Sequence, residues 1–383
     1  MSGGEVQTSQ RVGVEFQVGL GMVNVGFYVA SIGVVLVVLA AEFGVPVESL
    51  AWLGSLYGVA LIVVAFAGPM LLRFGAHRFL AGSAVVLGVG SLLLAVVPGQ
   101  FAAYAGVILQ AFGTSGLLLV TPGLLNGPGA ESKLTTVNGA ASMVGIAAPL
   151  LFGAAQALGI GARLPMLLVV ACMAVLTVLA LRYPAAIVPN PTHAASGVQR
   201  YRRSLVLRRV LTQVSAVAVE FCFVVWGVAR LVDTGLGMAT AAIVGAAFPV
   251  GMAVGRIVGP ALIARFPMVP VGSVVAAVGT LAVAATQNPA IVGVGQLVAG
   301  LGIATMYPIT LARVMATPGL PPELGASLGA LGSGVAVMLA PAGLAAVATV
   351  VDLRTAFLAP LPLLAIMLLL YRERQPKPGD ALA

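Results

Sequence analysis

RYPAAIVPNPTHAASGVQRYRRSLVLRR, residues 182–209, is the long polar interval of a chain that is otherwise mostly apolar. Its prolines stop the helix that enters the interval. They are followed by five arginines: Arg200, Arg202, Arg203, Arg208 and Arg209. Arginines beside apolar membrane-spanning segments collect on the cytoplasmic side of a membrane. The interval therefore predicts a cytoplasmic linker between two halves of similar length.

The composition excludes an ordinary water-soluble fold. Of 383 residues, 60% are hydrophobic and 8% are charged, whereas soluble domains carry about 25% charged residues. The net charge of +8 does not indicate a nucleic-acid partner, because the basic residues lie at the ends of apolar segments, where lipid head groups and cytoplasm are found. We expect a multi-pass protein of the cytoplasmic (inner) membrane, with the lipid bilayer as its partner.

Apolar runs of about 20 residues, the length of a membrane-spanning helix, recur along the chain. They predict an all-α membrane protein with twelve transmembrane helices in two six-helix bundles. The approximate limits are 13–41, 49–72, 78–97, 101–126, 134–158, 164–181, 210–232, 240–264, 268–286, 290–315, 325–350 and 355–371. The predicted regions are an N-terminal bundle over 1–181, the cytoplasmic basic linker over 182–209 and a C-terminal bundle over 210–383.

The distribution of charge predicts the topology. With both termini in the cytoplasm, most of the 19 basic residues fall on the cytoplasmic side, as the positive-inside rule requires. Arg256 lies within a span instead. Arg230 and Asp233, at positions i and i+3, are interpreted as a surface pair at the outer end of the seventh helix.

The two halves repeat. Residues 17–27, QVGLGMVNVGF, align with 213–223, QVSAVAVEFCF, which pairs Asn24 with Glu220. Parallel six-helix repeats are typical of secondary transporters, so we expect Asn24 and Glu220 at matching depth around one cavity. A second match pairs Gln110 and Pro122 with Gln296 and Pro308, and these prolines are predicted to bend helices 4 and 10.

These features resemble the major facilitator superfamily. Its local signature lies between the second and third helices and here reads GPMLLRFGAHR, residues 68–78. Leu72 stands where the family has an acidic residue that locks the cytoplasmic gate by pairing. The resemblance implies gating or structural roles for Arg73 and Arg78, and for Arg265 in the second-half copy of the signature.

Within that superfamily, VEFCFVVWG, residues 219–227, followed by Gly255-Arg256-x-x-Gly259, is similar to the fucose–proton symporter and its bypass-of-stop-codon relatives. The sugar symporter uses carboxylates in its first and fourth helices. Here the first helix carries Asn24 and the fourth carries no acid. The resemblance therefore implies a proton-coupled carrier of a sugar-like or other small metabolite, without assigning sugar as the substrate.

Glu220 is the candidate proton-coupling residue, because it lies near the middle of the seventh helix while the other acidic residues lie at or near helix ends and loops. A charge at the bilayer centre costs about 2.5–3.5 kcal/mol on insertion scales, and the loss of water favours a protonated carboxyl. The alternative is a structural pair with Arg256. Arg256 has its own alternatives: it either binds an anionic substrate or ties helix ends together.

Polar and aromatic residues on several helices form a candidate substrate-binding set. Gln213 and Glu220 share a helix face, and Asn24 and Tyr28 lie on the matching face of the first helix. The whole set is Asn24, Tyr28, Gln110, Asn138, Gln213, Trp226, Gln296 and Tyr307. Each residue alone is also explained by a hydrogen bond between packed helices, and Trp226 by an aromatic belt at the outer interface.

The sequence favours a secondary active transporter that moves a small organic solute by alternating access with protons, as a monomer and without a cofactor or metal. A drug or metabolite exporter working as a proton antiporter is the alternative, since residues 139–153 carry a degraded version of the family's glycine-rich antiport motif. An enzyme is disfavoured because no metal or nucleophile constellation is present. A pore is disfavoured because no ring of charge lines a symmetric path.

Overall fold

The computed structural model describes residues 3–125, 130–184, 201–263 and 265–371, and within these ranges it contains helices, short connections and no strands. Residues 185–200 of the predicted linker, and the predicted cytoplasmic ends at 1–2 and 372–383, lie outside the described residues.

The helices of the first half are long and mostly uninterrupted. They are α1 Gly3–Phe43, α2 Ala51–Leu71, α3 Ala76–Val96, α4 Gln100–Leu124, α5 Ala130–Ala157 and α6 Met166–Arg182. Short 3-10 turns, Val47–Leu50 and Leu72–Phe74, flank α2.

Three spans of the second half are each built from two helices. The helices are α7 Arg203–Asp233, α8 Met238–Gly245, α9 Ala247–Ile263, α10 Met268–Ala285, α11 Pro289–Ile303, α12 Met306–Met315, α13 Pro322–Ala348, α14 Leu353–Ala356 and α15 Pro360–Tyr371. The composite spans are Met238–Gly259, Pro289–Met315 and Leu353–Tyr371.

Eleven segments in the described residues are long and apolar enough to cross a membrane, and α6 is a shorter apolar helix of the same kind. Together they account for the twelve predicted runs. The all-α membrane fold class is confirmed, because a helix satisfies its own backbone hydrogen bonds in lipid.

Proline explains the break between α11 and α12. Pro308 has no backbone N–H and cannot donate to the carbonyl of Ala304, and α11 ends at Ile303, just before that residue. The helix is therefore interrupted close to the proline at which a bend was predicted. Pro122 differs, because it lies inside the continuous helix α4.

Backbone contacts between helix pairs repeat in the two halves. A Cβ added at Gly90 of α3 would lie 2.7 Å from both the carbonyl oxygen of Gly106 and the amide nitrogen of Gln110 on α4. A Cβ added at Gly279 of α10 would lie 2.5 Å and 2.4 Å from the same atoms of Gly295 and Ala299 on α11. Only glycine allows this approach, and the same contact recurs at an offset of 189 residues.

This packing corrects one predicted equivalence. Gln110 corresponds to Ala299, and Gln296 lies one helical turn away from that position. The two amides also bind different partners: Gln110 donates to Ser91 Oγ at 2.9 Å, whereas Gln296 donates to the Gly227 carbonyl at 2.7 Å. The predicted pairing of Gln110 with Gln296 was wrong. Residues one helical turn apart lie on the same face of a helix, so an alignment displaced by one turn still pairs residues of similar type.

Two arginines also repeat. The guanidinium of Arg163 donates to the Leu94 carbonyl near the end of α3, and that of Arg354 donates to the Ala284 carbonyl near the end of α10. Each contact caps a helix end with positive charge, which the helix dipole favours. The contact thus belongs to the repeated unit.

The halves pack closely at one end of the bundle. We call the end where α6 finishes and α7 begins the linker face, and the end where α1 finishes and α2 begins the opposite face. Contacts join α1 to α7, α2 to α13 and α5 to α8. Three glycines of the first half lie against backbone atoms of the second half. A Cβ added at Gly33 would lie 2.5 Å from the carbonyl oxygen of Val224. One added at Gly58 would lie 2.3 Å from the amide nitrogen of Met338, and one added at Gly153 would lie 2.8 Å from the carbonyl oxygen of Ala239.

These three glycines lie in the parts of α1, α2 and α5 that are nearer the opposite face. On the linker side of α5, Asn138 and Gly139 are exposed, and the space beside Gly139 is open. The arrangement indicates a cleft between the halves that opens toward the linker face.

Candidate functional site

An acid–base pair lies in the middle of the second half. Glu220 of α7 places its carboxyl Oε1 3.7 Å from Nη2 of Arg256 on α9. The Glu220 side chain is 14% exposed and that of Arg256 is 36% exposed. The pair therefore borders open space and is not sealed inside the packed helices.

A hydrogen bond connects this pair to the first half. Nη1 of Arg256 donates to Ser142 Oγ on α5 at 2.5 Å, and Ser142 in turn donates to the Asn138 carbonyl at 2.9 Å. The guanidinium thus bridges the two halves next to the cleft.

Two tyrosines lie near the Glu220 carboxyl. The phenols of Tyr57 on α2 and Tyr307 on α12 lie within electrostatic range of it. Tyr57 also packs edge-to-face against Tyr28 of α1, with ring centroids 5.3 Å apart, and in a tilted arrangement against Phe221, with ring centroids 6.1 Å apart. We call Glu220, Arg256, Ser142, Tyr28, Tyr57 and Tyr307 the central cluster.

Tyr57 was missed by the sequence analysis. A single tyrosine in an apolar helix is indistinguishable from a core aromatic. The one available signal is the repeat, because the offset of 191 that relates Gly68 to Gly259 also relates Tyr57 to Phe248, another aromatic.

Gln213 is connected to the central cluster through Ser333. The Gln213 amide donates to Ser333 Oγ at 2.9 Å and to the Gly329 carbonyl at 2.8 Å, and Ser333 lies near the Tyr307 side chain. Gln213 itself is fully buried, so its amide fixes α13 against α7.

The other predicted substrate-binding residues lie in helix packing or apart from the cluster. Gln110 and Gln296 are buried and make the hydrogen bonds described above. Trp226 is fully buried and donates to the Pro341 carbonyl at 3.1 Å, which does not fit a residue of an outer aromatic belt. Asn24 is buried and donates to the Leu20 carbonyl of its own helix at 2.8 Å. Asn138 is exposed.

A narrow cavity adjoins the cluster between α1, α2 and α4. Tyr28 belongs to both. The remaining lining is apolar apart from Ser31 and the predicted residue Gln110, and comprises Ile32, Val35, Leu36, Leu53, Gly54 and Val107. The cavity lies on the side of the cluster toward the opposite face. In the described part of the chain, no group of three His, Cys, Asp or Glu side chains is placed to hold a metal ion.

The family model for the Major Facilitator Superfamily matches residues 18–324, which is most of the chain. The chain belongs to the major facilitator superfamily. Family and fold indicate a membrane transporter of small-molecule solutes rather than an enzyme. No curated protein matches the sequence.

Solved structures of the same superfamily fold share little sequence with the chain. A mutant of the nucleoside transporter NupG has a TM-score of 0.73 and 13% identity, over 94% of this chain and 100% of that one. A POT family transporter in complex with 5-aminolevulinic acid has a TM-score of 0.75 and 10% identity, over 94% and 95%. A bacterial homolog of the human lysosomal transporter Spinster, inward-facing and unoccupied, has a TM-score of 0.68 and 13% identity, over 94% of this chain and 96% of that one.

The arginines of the superfamily signature lie at the linker face. Arg73, Arg78 and Arg265 are exposed, and in the described part of the chain none of them forms an ion pair. Leu72 offers no carboxylate at the position of the family acid. The described contacts therefore include no ionic lock between the halves at these arginines.

The interpretation of Arg230 and Asp233 as a surface pair was wrong for the arginine. Arg230 is fully buried and donates to Asp233 at 2.9 Å, to Gln287 Oε1 at 2.8 Å and to the Thr286 carbonyl at 2.5 Å. Its two terminal nitrogens have three acceptors, whereas the buried Nε has none, so Arg230 ties α7 to the loop after α10 through its terminal nitrogens. This contact cannot be predicted from the sequence, because Thr286 and Gln287 are distant from Arg230 along the chain.

Replacing Arg230 with glutamine should therefore lower the stability of the folded protein, and it leaves the residues of the central cluster unchanged. Loss of one partner of a buried charged network costs about 3–5 kcal/mol. We expect a clear fall in the thermal unfolding midpoint of the purified protein. Arg202→Gln, which removes the same charge at an exposed position, is the control. Equal midpoints for both variants would contradict the structural role.

Proposed function

We propose that the chain is a secondary active transporter that moves a small organic solute by alternating access, coupled to protons through Glu220. The observation that carries this proposal is the position of the Glu220 carboxyl. It lies near the middle of α7, is 14% exposed and lies 3.7 Å from the guanidinium that bridges the two halves. The transporters named among the similar structures support the general class, and their substrates are not transferred to this chain.

The surroundings of Glu220 suit a residue that exchanges a proton. One cation, Arg256 of α9, faces it, and two phenols, Tyr57 of α2 and Tyr307 of α12, lie near it. The ion pair is long, at 3.7 Å. Protonation of the carboxyl therefore removes only a weak contact with Arg256, whereas a close bidentate pair would be a stronger interaction to lose. Glu220 loads a proton when the cluster faces the outside and releases it to a more alkaline cytoplasm after the halves rock.

The expected setting is the cytoplasmic (inner) membrane, with a monomer, a cytoplasmic linker and cytoplasmic termini. It is supported by the exposed arginines of the linker face, including Arg73, Arg78, Arg202 and Arg265. The likeness to the fucose–proton symporter branch supports a sugar-like or other small metabolite as solute.

A cysteine introduced at Gly197, within the linker, tests the orientation. In intact cells an impermeant thiol reagent should fail to label Gly197→Cys, and should label it after the membrane is made permeable. The native Cys172 and Cys222 lie inside spans and are replaced by alanine first. Ready labelling in intact cells would reverse the orientation and with it the direction of proton movement proposed here.

Transport itself is tested in vesicles loaded with a pH-sensitive dye. A transported solute should collapse an imposed pH gradient when added from outside, and Glu220→Gln vesicles should not respond. The proton-antiporting exporter remains the second candidate, supported by Pro149 within α5 and by the close contact of Gly153 with α8. Symport and antiport give opposite directions of proton flux for the same solute gradient.

A further inference from the structure

Arg256 differs from the structural arginines of the chain in what surrounds its guanidinium. Arg230 is fully buried among three acceptors, and Arg163 is 11% exposed and pairs with Glu42 and the Leu94 carbonyl. Arg256 is 36% exposed, and its hydrogen bond goes to the neutral Ser142. The Glu220 oxygen, at 3.7 Å, is beyond hydrogen-bond distance.

The Arg256 side chain projects away from the most exposed, lipid-facing side of α9. Val254, Ile257 and Val258 are exposed and mark the lipid-facing side of α9, and Arg256 is two residues from each of the valines. Two residues correspond to about 200° around an α-helix, so Arg256 projects from the other side, toward α5 and α7. A guanidinium has five N–H donors. Within the described residues one hydrogen bond of the Arg256 guanidinium is shown, to Ser142 Oγ, and the side chain is 36% exposed.

We infer that the transported solute carries an anionic group, a carboxylate or a group of similar charge and shape, and that this group binds the Arg256 guanidinium. The inference rests on the proposed function, in which the central cluster binds the solute. A guanidinium presents paired, coplanar donors that match a carboxylate. Ser142 holds one nitrogen and so fixes the orientation of the plane. A mid-membrane cation with unused donors is expensive unless a ligand uses them.

Binding of an anion at Arg256 also links the solute to the proton. Glu220 and Arg256 are neutral as a pair. An anion bound to Arg256 forms an ion pair with the guanidinium and places a second negative charge beside the Glu220 carboxylate. A nearby negative charge favours proton uptake by that carboxylate. The remaining neighbours, Tyr57 and Tyr307, carry no charge to offset this. One monoanion and one proton then cross together with no net charge.

Matched carboxylates and carboxamides test the inference on the purified full-length protein. The probes are acetate and acetamide, lactate and lactamide, benzoate and benzamide, and nicotinate and nicotinamide, each at millimolar concentration. We expect at least one carboxylate to raise the thermal unfolding midpoint while its amide does not. Its apparent affinity should rise as the pH falls, and Glu220→Gln should remove that pH dependence.

Arg256→Gln should weaken carboxylate binding about tenfold or more, the range for a lost charged hydrogen bond. Arg256→Lys keeps the charge but loses the coplanar donors; it should bind more weakly than the native protein, and it replaces the glutamine variant if that fails to fold. Arg202→Gln is the control for charge and should behave as the native protein does.

Three results would overturn the inference: equal stabilisation by carboxylate and amide, carboxylate binding that survives in Arg256→Gln, or no Arg256-dependent stabilisation by any carboxylate of the set. Stabilisation by a neutral amide that is lost in Tyr57→Phe would refute the anion while leaving the transport proposal intact. Carboxylate binding at Arg256 with no solute-driven proton flux in vesicles would refute transport and leave the binding site.

Discussion

Glu220→Gln is expected to abolish pH-driven accumulation of the solute while leaving solute exchange largely intact. Glutamine keeps the shape and hydrogen-bonding capacity of the side chain but cannot bind and release a proton. A gradient of one pH unit supplies about 1.4 kcal/mol per proton, which supports roughly tenfold accumulation at one-to-one coupling. The variant should reach only equal concentrations on the two sides.

The measurement is uptake of labelled solute into vesicles under a pH gradient, compared with counter-flow in the absence of one. Glu48→Gln, which removes an acid in the turn before α2, is the matched control and should accumulate solute normally. If Glu220→Gln still concentrates solute under a pH difference alone, Glu220 does not couple the proton, and its contact with Arg256 is structural.

The spans could be predicted from the sequence because hydropathy and length decide which segments enter lipid, and lipid leaves them no alternative to helix. Helix interruptions were partly predictable. Pro308 explains the start of α12, yet Pro122 has the same chemistry and lies in an unbroken helix. The difference comes from how neighbouring helices pack around each freed carbonyl, which the sequence does not contain.

The candidate site was only partly predictable for the same reason. Glu220 and Arg256 stand out because a charge in mid-span is costly wherever it points. The role of an amide depends instead on the rotation of its helix. Gln110, Gln213 and Gln296 have the same side chain, and all three turn out to bond within helix packing. Ser142 gained its importance from a contact between halves, which only the fold supplies.

The close contact of the halves at Gly58 gives the second large expected effect. A Cβ at this position of α2 would lie 2.3 Å from the Met338 nitrogen and 2.5 Å from the Gly334 oxygen, both backbone atoms of α13. Backbone cannot move aside as a side chain can, so Gly58→Val must push α2 away from α13. Such overpacking costs about 1–3 kcal/mol. Here it destabilises the conformation in which the opposite face is closed.

Gly58→Val should therefore remain folded but lose at least about nine-tenths of its transport rate, since one closed state of the cycle is disfavoured by a factor of about ten or more. A cysteine at Val35, in the cavity toward the opposite face, should become reactive to an impermeant reagent from that side. Gly82→Ala is the control, because the space beside Gly82 of α3 is open. Full transport by Gly58→Val, or unchanged reactivity at position 35, would show that the α2–α13 contact does not close the opposite face during transport.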